Sequence, residues 1–196
     1  NINNTSGIEY FTNLTFLDIS DNGLNQIDLS KNILLETFIS DFNQFTNFNF
    51  AQNTKLKAIE ARNNLISTLE VSNLVDLEIL ELESNQIVAL DITLNTKIST
   101  LDVKNNQLEN LDVSNQPQLV VFEANNNLLR FINLKNTANP TISALETTNN
   151  LNLTCIEVLN LDYFDTISPS IDAKTNFYEN CPSTTAIPDA NFEAYL

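Results

Sequence analysis

The amino-acid sequence predicts a solenoid in which short extended segments stack at a fixed period. Three observations lead to this fold class. One frame of apolar residues recurs along most of the chain, and each copy of the frame contains a single asparagine. The first six copies follow one another at a constant 21-residue period. Within each copy, apolar and polar residues alternate as they do in a strand, not with the period of a helix.

The repeat frame is L-x-x-L-x-L-x-x-N-x-L, with other apolar residues allowed at the leucine positions. Its first copy contains Leu14, Leu17, Ile19, Asn22 and Leu24. Seven turns start at Leu14, Leu35, Leu56, Leu77, Ile98, Leu119 and Ile142. The last start follows after a slightly longer interval, and we expect residues 138–140 to bulge this connection. A frame of five specified positions is not expected to recur by chance in six successive copies.

Each turn also has a second half in which apolar and polar residues alternate over three positions, as in Ile27-Asp28-Leu29 and Leu111-Asp112-Val113. This alternation predicts a short extended or 3₁₀ segment opposite the main strand, because a turn of this length leaves little room for an α-helix. One turn cannot bury its leucines alone. Stacking turns about 4.8 Å apart would create a continuous core.

The asparagine of the frame has a structural explanation. At a tight corner its side-chain amide can satisfy backbone N–H and C=O groups of its own turn and of the neighbouring turn. We therefore predict a buried structural ladder instead of a set of ligands. Its members are Asn22, Asn43, Asn64, Asn85, Asn106, Asn127 and Asn150.

The frame, followed by L-D-V-S as in residues 111–114, resembles the bacterial leucine-rich repeats of the 21-residue class over roughly residues 8 to 160. The resemblance implies a right-handed, curved leucine-rich-repeat solenoid with its parallel β-sheet on the concave side. It also implies recognition or adhesion at the surface of Gram-negative, gliding-type bacteria, and export by the type IX secretion route.

The two cysteines, Cys155 and Cys181, lie close together near the end of the sequence. A pair of this kind favours one disulfide, which would place the protein outside the cytoplasm, in the extracellular space or on the cell surface. The alternative is two reduced, buried thiols in a cytosolic protein. Similar cysteine-containing caps occur in the family that the repeats resemble.

The domain organisation follows from where the repeats stop. We expect residues 1–13 to be the remnant of an N-terminal cap, 14–160 the array with about seven repeats and a last strand, and 161–181 a loop-like C-terminal cap. Residues 182–196 combine a linker with the start of a helix that resembles the cap of a following array. Tandem arrays in one longer chain are then expected. The alternative is a terminal helix that packs on its own domain.

The composition and charge exclude several classes of function. The formal charge of −16, from 9 basic and 25 acidic residues, argues against binding nucleic acid or anionic lipid. No apolar run is long enough to cross a bilayer. Without histidine, and without nucleophile or phosphate-binding motifs, the sequence predicts no enzyme, no cofactor and no dedicated metal site.

The residue between the two inward apolar positions of each main strand should face solvent on the concave side. This position is acidic in nearly every turn; Ile39 is the exception, and Glu157 is expected in the same column as part of a last strand. The predicted binding residues on this face are Phe16, Asp18, Glu60, Arg62, Glu81, Glu83, Asp102, Lys104, Glu123 and Glu146. A partly acidic row also recurs in the second half of the turns.

Two interpretations of the acidic column remain open. The carboxylates are either hydrated consensus residues that keep the chain soluble, or an electrostatic surface for a cationic partner or for bridging Ca²⁺. Two functions follow. The first is a recognition or adhesion module that binds a protein or a glycan. The second is a structural spacer or assembly segment in a larger surface protein.

Overall fold

The protein winds into a parallel-sheet solenoid of about seven turns with almost no helix. The computed structural model describes residues 2–135, 142–164 and 167–182. A 3₁₀-helix at Ile8–Tyr10 precedes the first turn, and α1 spans Leu161–Phe164. The strands are β1 Phe16–Asp18, β2 Thr37–Ile39, β3 Ala58–Glu60, β4 Ile79–Glu81, β5 Thr100–Asp102, β6 Asn110–Asp112, β7 Val121–Glu123, β8 Phe131–Asn133, β9 Ala144–Glu146, β10 Cys155–Glu157 and β11 Asn176–Tyr178.

The main sheet contains seven parallel strands in the order β1-β2-β3-β4-β5-β7-β9. The pairing is in register, so that equivalent residues of successive turns lie side by side, as Leu80 does with Leu101 and Leu101 with Phe122. The central residue of each strand points into the core and is fully or almost fully buried from β2 onwards. Because these buried residues recur at a regular period, they form a continuous hydrophobic core.

The second sheet forms from the other half of the later turns and from the C-terminal segment, and it has the order β11-β10-β8-β6. Leu111, Ile132 and Ile156 align within it and are buried on the opposite side of the same core. These segments are extended, which is one of the two conformations predicted for them.

The frame asparagines form hydrogen bonds between turns. Asn64, for example, accepts from the Phe45 amide through Oδ1 at 3.0 Å. Its Nδ2 donates to the Ser40 and Ala61 carbonyls at 3.0 and 3.3 Å, one in the preceding turn and one in its own. Equivalent bonds recur at Asn85, Asn106 and Asn127. These bonds satisfy backbone groups that the tight corner would otherwise leave buried without partners.

The residue before each frame asparagine adopts the left-handed backbone conformation, with φ between 53° and 60°. We call this series the corner row. Five of its seven members are Asp or Asn, which tolerate this conformation better than other non-glycine residues. The members are Asp21, Phe42, Asn63, Ser84, Asn105, Asn126 and Asn149.

A second amide ladder, which the sequence analysis missed, lies in the other half of the turns. Its members are completely buried: Asn32, Asn53, Asn95 and Gln116. Asn53 Nδ2 donates to the Leu29 and Asn32 carbonyls, both at 3.0 Å. Asn32 donates in the same way to Ile8 and Phe11, which attaches the N-terminal 3₁₀-helix to the array. The available signal was the return of polar residues at the period of the frame.

The predicted last strand is present as β10, but the prediction that its Glu157 belongs to the acidic column is wrong. Strand β10 pairs with β8 in the second sheet, where Glu157 aligns with Asn133. Ile156 follows Leu145 by only about half of a turn, so the chain has reached only the opposite side of the solenoid. The next position beside Glu146 in the main sheet is instead filled by Ser170.

The segment after residue 160 is also more regular than the predicted loop. It contains α1, and β11 adds to the edge of the second sheet beside β10, one full period further along the chain. Phe164 is buried, and its ring stacks on Phe177 at a centroid distance of 4.9 Å. Asp172 accepts from the Asn149 and Asn150 amides at 3.0 and 2.9 Å. This segment therefore covers the last turn with aromatic rings and satisfies its exposed amides.

The predicted disulfide between Cys155 and Cys181 is present, with a Cα–Cα distance of 6.0 Å. It joins β10 to the end of the C-terminal segment. Glu157 supports the same connection by accepting from the Cys181 amide at 2.9 Å. The predicted bulge at residues 138–140 and the predicted helix within 187–196 lie outside the described residues.

Candidate binding face on the main sheet

The solvent face of the main sheet has three columns of side chains: an acidic column, an apolar column two places before it, and a mixed column two places after it that contains Asp41, Arg62, Glu83 and Lys104. The acidic column consists of Asp18, Ile39, Glu60, Glu81, Asp102, Glu123 and Glu146. Pairwise register places five carboxylates, from Glu60 to Glu146, on consecutive neighbouring strands. Carboxylates at a spacing of about 4.8 Å repel one another, by about 1 kcal/mol per pair even in water.

Arg62 relieves part of this repulsion on the N-terminal half of the face. Its Nη1 atom lies 2.9 Å from Asp41 Oδ2 and 3.1 Å from Glu60 Oε2, and Nη2 contacts the Glu81 carboxylate. Asp41 also accepts from the Arg62 backbone amide at 2.7 Å. Burial lowers the pKa of Arg62, but the Asp41 and Glu60 carboxylates outweigh it and raise the pKa overall. One guanidinium therefore holds three carboxylates, and the cluster keeps a negative charge.

Lys104 forms an equivalent cluster two turns further on. Its Nζ atom lies 2.5 Å from Glu123 Oε2, 3.2 Å from Asp102 Oδ2 and 3.8 Å from Glu83 Oε2. Burial lowers the pKa of Lys104, but hydrogen bonds to the Glu123 and Asp102 carboxylates raise it overall. Asp102 is the most buried carboxylate of the column, and burial raises the pKa of Asp102 despite its bonds to Lys104.

The apolar column beside the acidic one is discontinuous. Phe16 at its start is 55 % exposed, Ala58 is buried, and Ile79 and Val121 are half-buried between threonines and an alanine. This column therefore presents separate apolar side chains instead of a continuous apolar stripe.

The ten predicted binding residues lie on one side of the main sheet, seven of them in its strands and Arg62, Glu83 and Lys104 two residues after a strand end. Glu157 lies in the second sheet and is not part of it. Asp41, which holds Arg62, was not among the predicted binding residues; its position in the same column as Arg62 was the available signal. Phe42, an exposed aromatic residue in the corner row, was not among them either, and its departure from the polar residues of that row was the available signal.

The acidic row in the second half of the turns has a different local structure. Asp91 Oδ1 accepts from the Thr93 amide at 2.9 Å, and Asp28, Glu70 and Asp112 accept in the same way from the residue two places ahead. The backbone hydrogen bond from Thr93 lowers the pKa of Asp91. These carboxylates cap turns of their own backbone, which explains the aspartate of the L-D-V-S motif structurally.

Within residues 2–135, 142–164 and 167–182, no group of three or more Cys, Asp or Glu side chains has the arrangement of a metal site. In the same ranges, no helix is both long and apolar enough to cross a membrane.

No protein-family model and no curated protein matches the sequence. Solved structures do match. The functional domain of InlJ from Listeria monocytogenes, which includes a cysteine ladder, is 20 % identical, with a TM-score of 0.63 over 89 % of this chain and 42 % of its own. An internalin of Listeria monocytogenes strain 4b is 23 % identical, with a TM-score of 0.63 over 93 % and 52 % of the respective chains. A leucine-rich-repeat protein of Leptospira interrogans is 15 % identical, with a TM-score of 0.56 over 90 % and 59 %.

The chain spans between 42 % and 59 % of the length of these three structures. At such low identity the similarity concerns the fold, which agrees with the repeat frame and with the stacked parallel strands. The protein therefore has the leucine-rich-repeat fold found in these bacterial proteins.

Proposed function

We propose that this chain is a non-catalytic recognition or adhesion module of a secreted or cell-surface bacterial protein. It binds a protein or a glycan ligand through the solvent face of the main sheet, which corresponds to the concave face of the fold. The observation that carries this proposal is the row of five adjacent carboxylates on rigid, paired strands.

The electrostatics of this face support a cationic ligand. Eight carboxylates lie on or beside the face with only two cations among them, Arg62 and Lys104; the carboxylates are Asp18, Asp41, Glu60, Glu81, Glu83, Asp102, Glu123 and Glu146. The excess negative charge attracts a basic partner and increases its association rate. Asp102 is buried, and a buried carboxylate is screened less by salt than an exposed one, so its field reaches a ligand more strongly.

The disulfide supports the proposed location. Cys155 is buried and joined to Cys181, and such bonds persist mainly in extracellular or periplasmic proteins. Type IX export, tandem arrays and the division into N-terminal cap, array and C-terminal cap belong to the same proposal. The cover that α1 and β11 provide over the last turn supports the C-terminal cap.

The alternative is a structural spacer that carries a functional domain elsewhere. One observation favours it: the carboxylates of the second half of the turns cap their own backbone, so an acidic consensus residue need not contact a ligand.

Two variants with the same change of charge distinguish the recognition module from the structural spacer. The first is Glu81→Gln with Asp102→Asn and Glu123→Gln on the main sheet. The control is Asp28→Asn with Asp91→Asn and Asp112→Asn in the second half of the turns. Both are compared with the wild type on an array of purified glycans and of lysine-rich and neutral peptides, at low and at physiological salt.

For a binding face, we expect the main-sheet variant to lose about tenfold in affinity for the ligands that the wild type retains, because tenfold corresponds to about 1.4 kcal/mol. The control should stay within about twofold. Equal losses in both variants would indicate net charge alone. If the wild type binds nothing on the array, the spacer function is favoured.

A further inference from the structure

The second turn, which starts at Leu35, departs from the other turns in two positions on or beside the main-sheet face. Ile39 replaces the carboxylate of the acidic column, so that it lies beside Asp18 of β1 and Glu60 of β3. Phe42 takes the place of the small polar residue in the corner row, where the strand leaves the sheet. Ile39 and Phe42 are close together in the sequence, and we call them the apolar corner.

Phe42 is unfavourable for folding in two respects. Its φ of 55° is a conformation that bulky side chains rarely adopt, and its side chain is 54 % exposed. The backbone nevertheless keeps the corner, since the Phe42 amide donates to the Arg62 carbonyl at 2.9 Å. The ring does not fill the core, where Phe38, Phe45, Phe48 and Phe50 already pack together.

Around the apolar corner, Arg62 pairs with Asp41 and Glu60, whereas two further carboxylates have no lysine or arginine partner in the described ranges. Asp18 lies beside Ile39 in the sheet register, and Asp21 occupies the corner position one turn before Phe42. Across the described ranges, neither carboxylate forms an ion pair with a lysine or an arginine. Asp41, by contrast, is held by Arg62 at 2.9 Å. An exposed aromatic ring therefore lies near negative charge that no lysine or arginine of this part of the chain neutralises.

We propose that the apolar corner is the anchor point for a polypeptide segment in which an apolar side chain stands next to lysine or arginine. This inference rests on the proposed function and names the partner class for one end of the same face. The apolar side chain would cover Phe42 and Ile39, while the neighbouring cations would pair with Asp18 and Asp21. Few residues carry most of the affinity in such contacts, and aromatic residues are prominent among them.

Charge complementarity favours this occupant over the others. A nucleic acid or an anionic lipid would be repelled by Asp18, Asp21 and the acidic column. A neutral glycan could stack on Phe42, but it would leave the two carboxylates without cationic partners. A basic segment that continues along the sheet would meet the carboxylates from Glu60 to Glu146 on successive strands.

The test uses a double-mutant cycle between Phe42 and a synthetic probe. The probe is a fluorescein-labelled peptide with one phenylalanine flanked on both sides by two lysines, and its partner has alanine in place of the phenylalanine. Binding is measured by fluorescence anisotropy at physiological salt for the wild type and for Phe42→Asn. A cycle of this kind isolates the contact between the two side chains.

For the wild type we expect the phenylalanine peptide to bind about tenfold more tightly than the alanine peptide. For Phe42→Asn the two peptides should bind equally, within about twofold. The same variant should unfold at a higher urea concentration, because asparagine tolerates the left-handed conformation. A loss of affinity in a more stable protein cannot be attributed to unfolding.

The matched control is Leu128→Asn, which removes another exposed apolar side chain (49 % exposed) in the sixth turn and should leave the tenfold preference unchanged. The inference is overturned if the wild type binds neither peptide, if it binds both equally, or if its preference for phenylalanine persists in Phe42→Asn. If the wild type binds neither peptide but binds a neutral hexasaccharide in a Phe42-dependent way, the ligand at this corner is a glycan.

The proposed function is tested independently of Phe42. If the alanine peptide binds the wild type but not the variant with Glu81→Gln, Asp102→Asn and Glu123→Gln, the acidic face binds cations even when the inference about Phe42 is wrong.

Discussion

Two rows of carboxylates recur along this solenoid at the same period, one on the main sheet and one in the second half of the turns. On the main sheet, the carboxylates of Glu60 and Glu123 pair with Arg62 and Lys104 respectively. In the second half, Asp91 and its equivalents turn back and accept the amide two residues ahead. The first row is a surface of mutually repelling charges, and the second row consists of local turn caps.

The difference shows that acidic residues that recur at the same period in a repeat protein can have different structural roles. Burial raises the pKa of Asp102, whereas the Thr93 amide lowers the pKa of Asp91. Strand pairing places the carboxylates of the main sheet next to one another, and Asp102 keeps a raised pKa although it also accepts from the Lys104 amide. A cost of this kind is consistent with use of the face by a partner.

The largest expected effect comes from removing a cation from the main sheet. Lys104→Met leaves Asp102, Glu123 and Glu83 without their shared partner, and Asp102 is almost fully buried. We expect the free energy of unfolding to fall by about 2 kcal/mol, measured by urea denaturation.

The control for this prediction is Lys97→Met, which breaks the exposed pair of Lys97 with Asp76. Exposed pairs contribute little, so the change should stay below about 0.5 kcal/mol. Equal effects of the two substitutions would mean that the main-sheet carboxylates are as well solvated as surface ones.

A smaller effect is expected from Asp91 in the second half of the turns. Asp91→Ala removes the acceptor of the Thr93 amide and should lower the free energy of unfolding by about 1 kcal/mol. Asp91→Asn keeps an oxygen in the same place but loses the charge, so it should cost clearly less than Asp91→Ala. If both substitutions cost the same, charge and not the hydrogen bond explains the residue.

The smallest effect is a difference in pH dependence between the two rows. Because the folded state raises the pKa of Asp102 above 3.8, the wild type loses stability as pH rises from 3.8 to the folded pKa. Asp102→Asn should therefore gain stability relative to the wild type over that window. Because the folded state lowers the pKa of Asp91 below 3.8, the wild type gains stability as pH rises from the folded pKa to 3.8. Asp91→Asn should then lose relative stability.

Urea denaturation of the wild type and of both variants between about pH 3 and pH 7 measures the two slopes. Slopes of the same sign would remove the distinction between the two rows.

Much of the fold was predictable because the same apolar and asparagine positions recur in every turn. The apolar frame from Leu14 to Ile142 indicated the period, the buried side of each strand and the frame asparagines from spacing alone. The second amide ladder obeyed the same period but was overlooked, since Leu74 interrupts it and the surrounding segment resembled ordinary loop sequence. Strand β10 was misplaced because alternation alone does not distinguish the two halves of a turn.

The period, the parallel stacking and the set of residues that share a face could be inferred from the amino-acid sequence, because each of these depends only on spacing along the chain. The contacts of the charges on that face could not be inferred in this way and are visible only in the tertiary structure. Whether a carboxylate meets a neighbouring carboxylate, a guanidinium or its own backbone amide depends on side-chain direction across successive turns. The exposure of Phe42 in a left-handed corner likewise became visible only there, because φ and burial are properties of the folded chain.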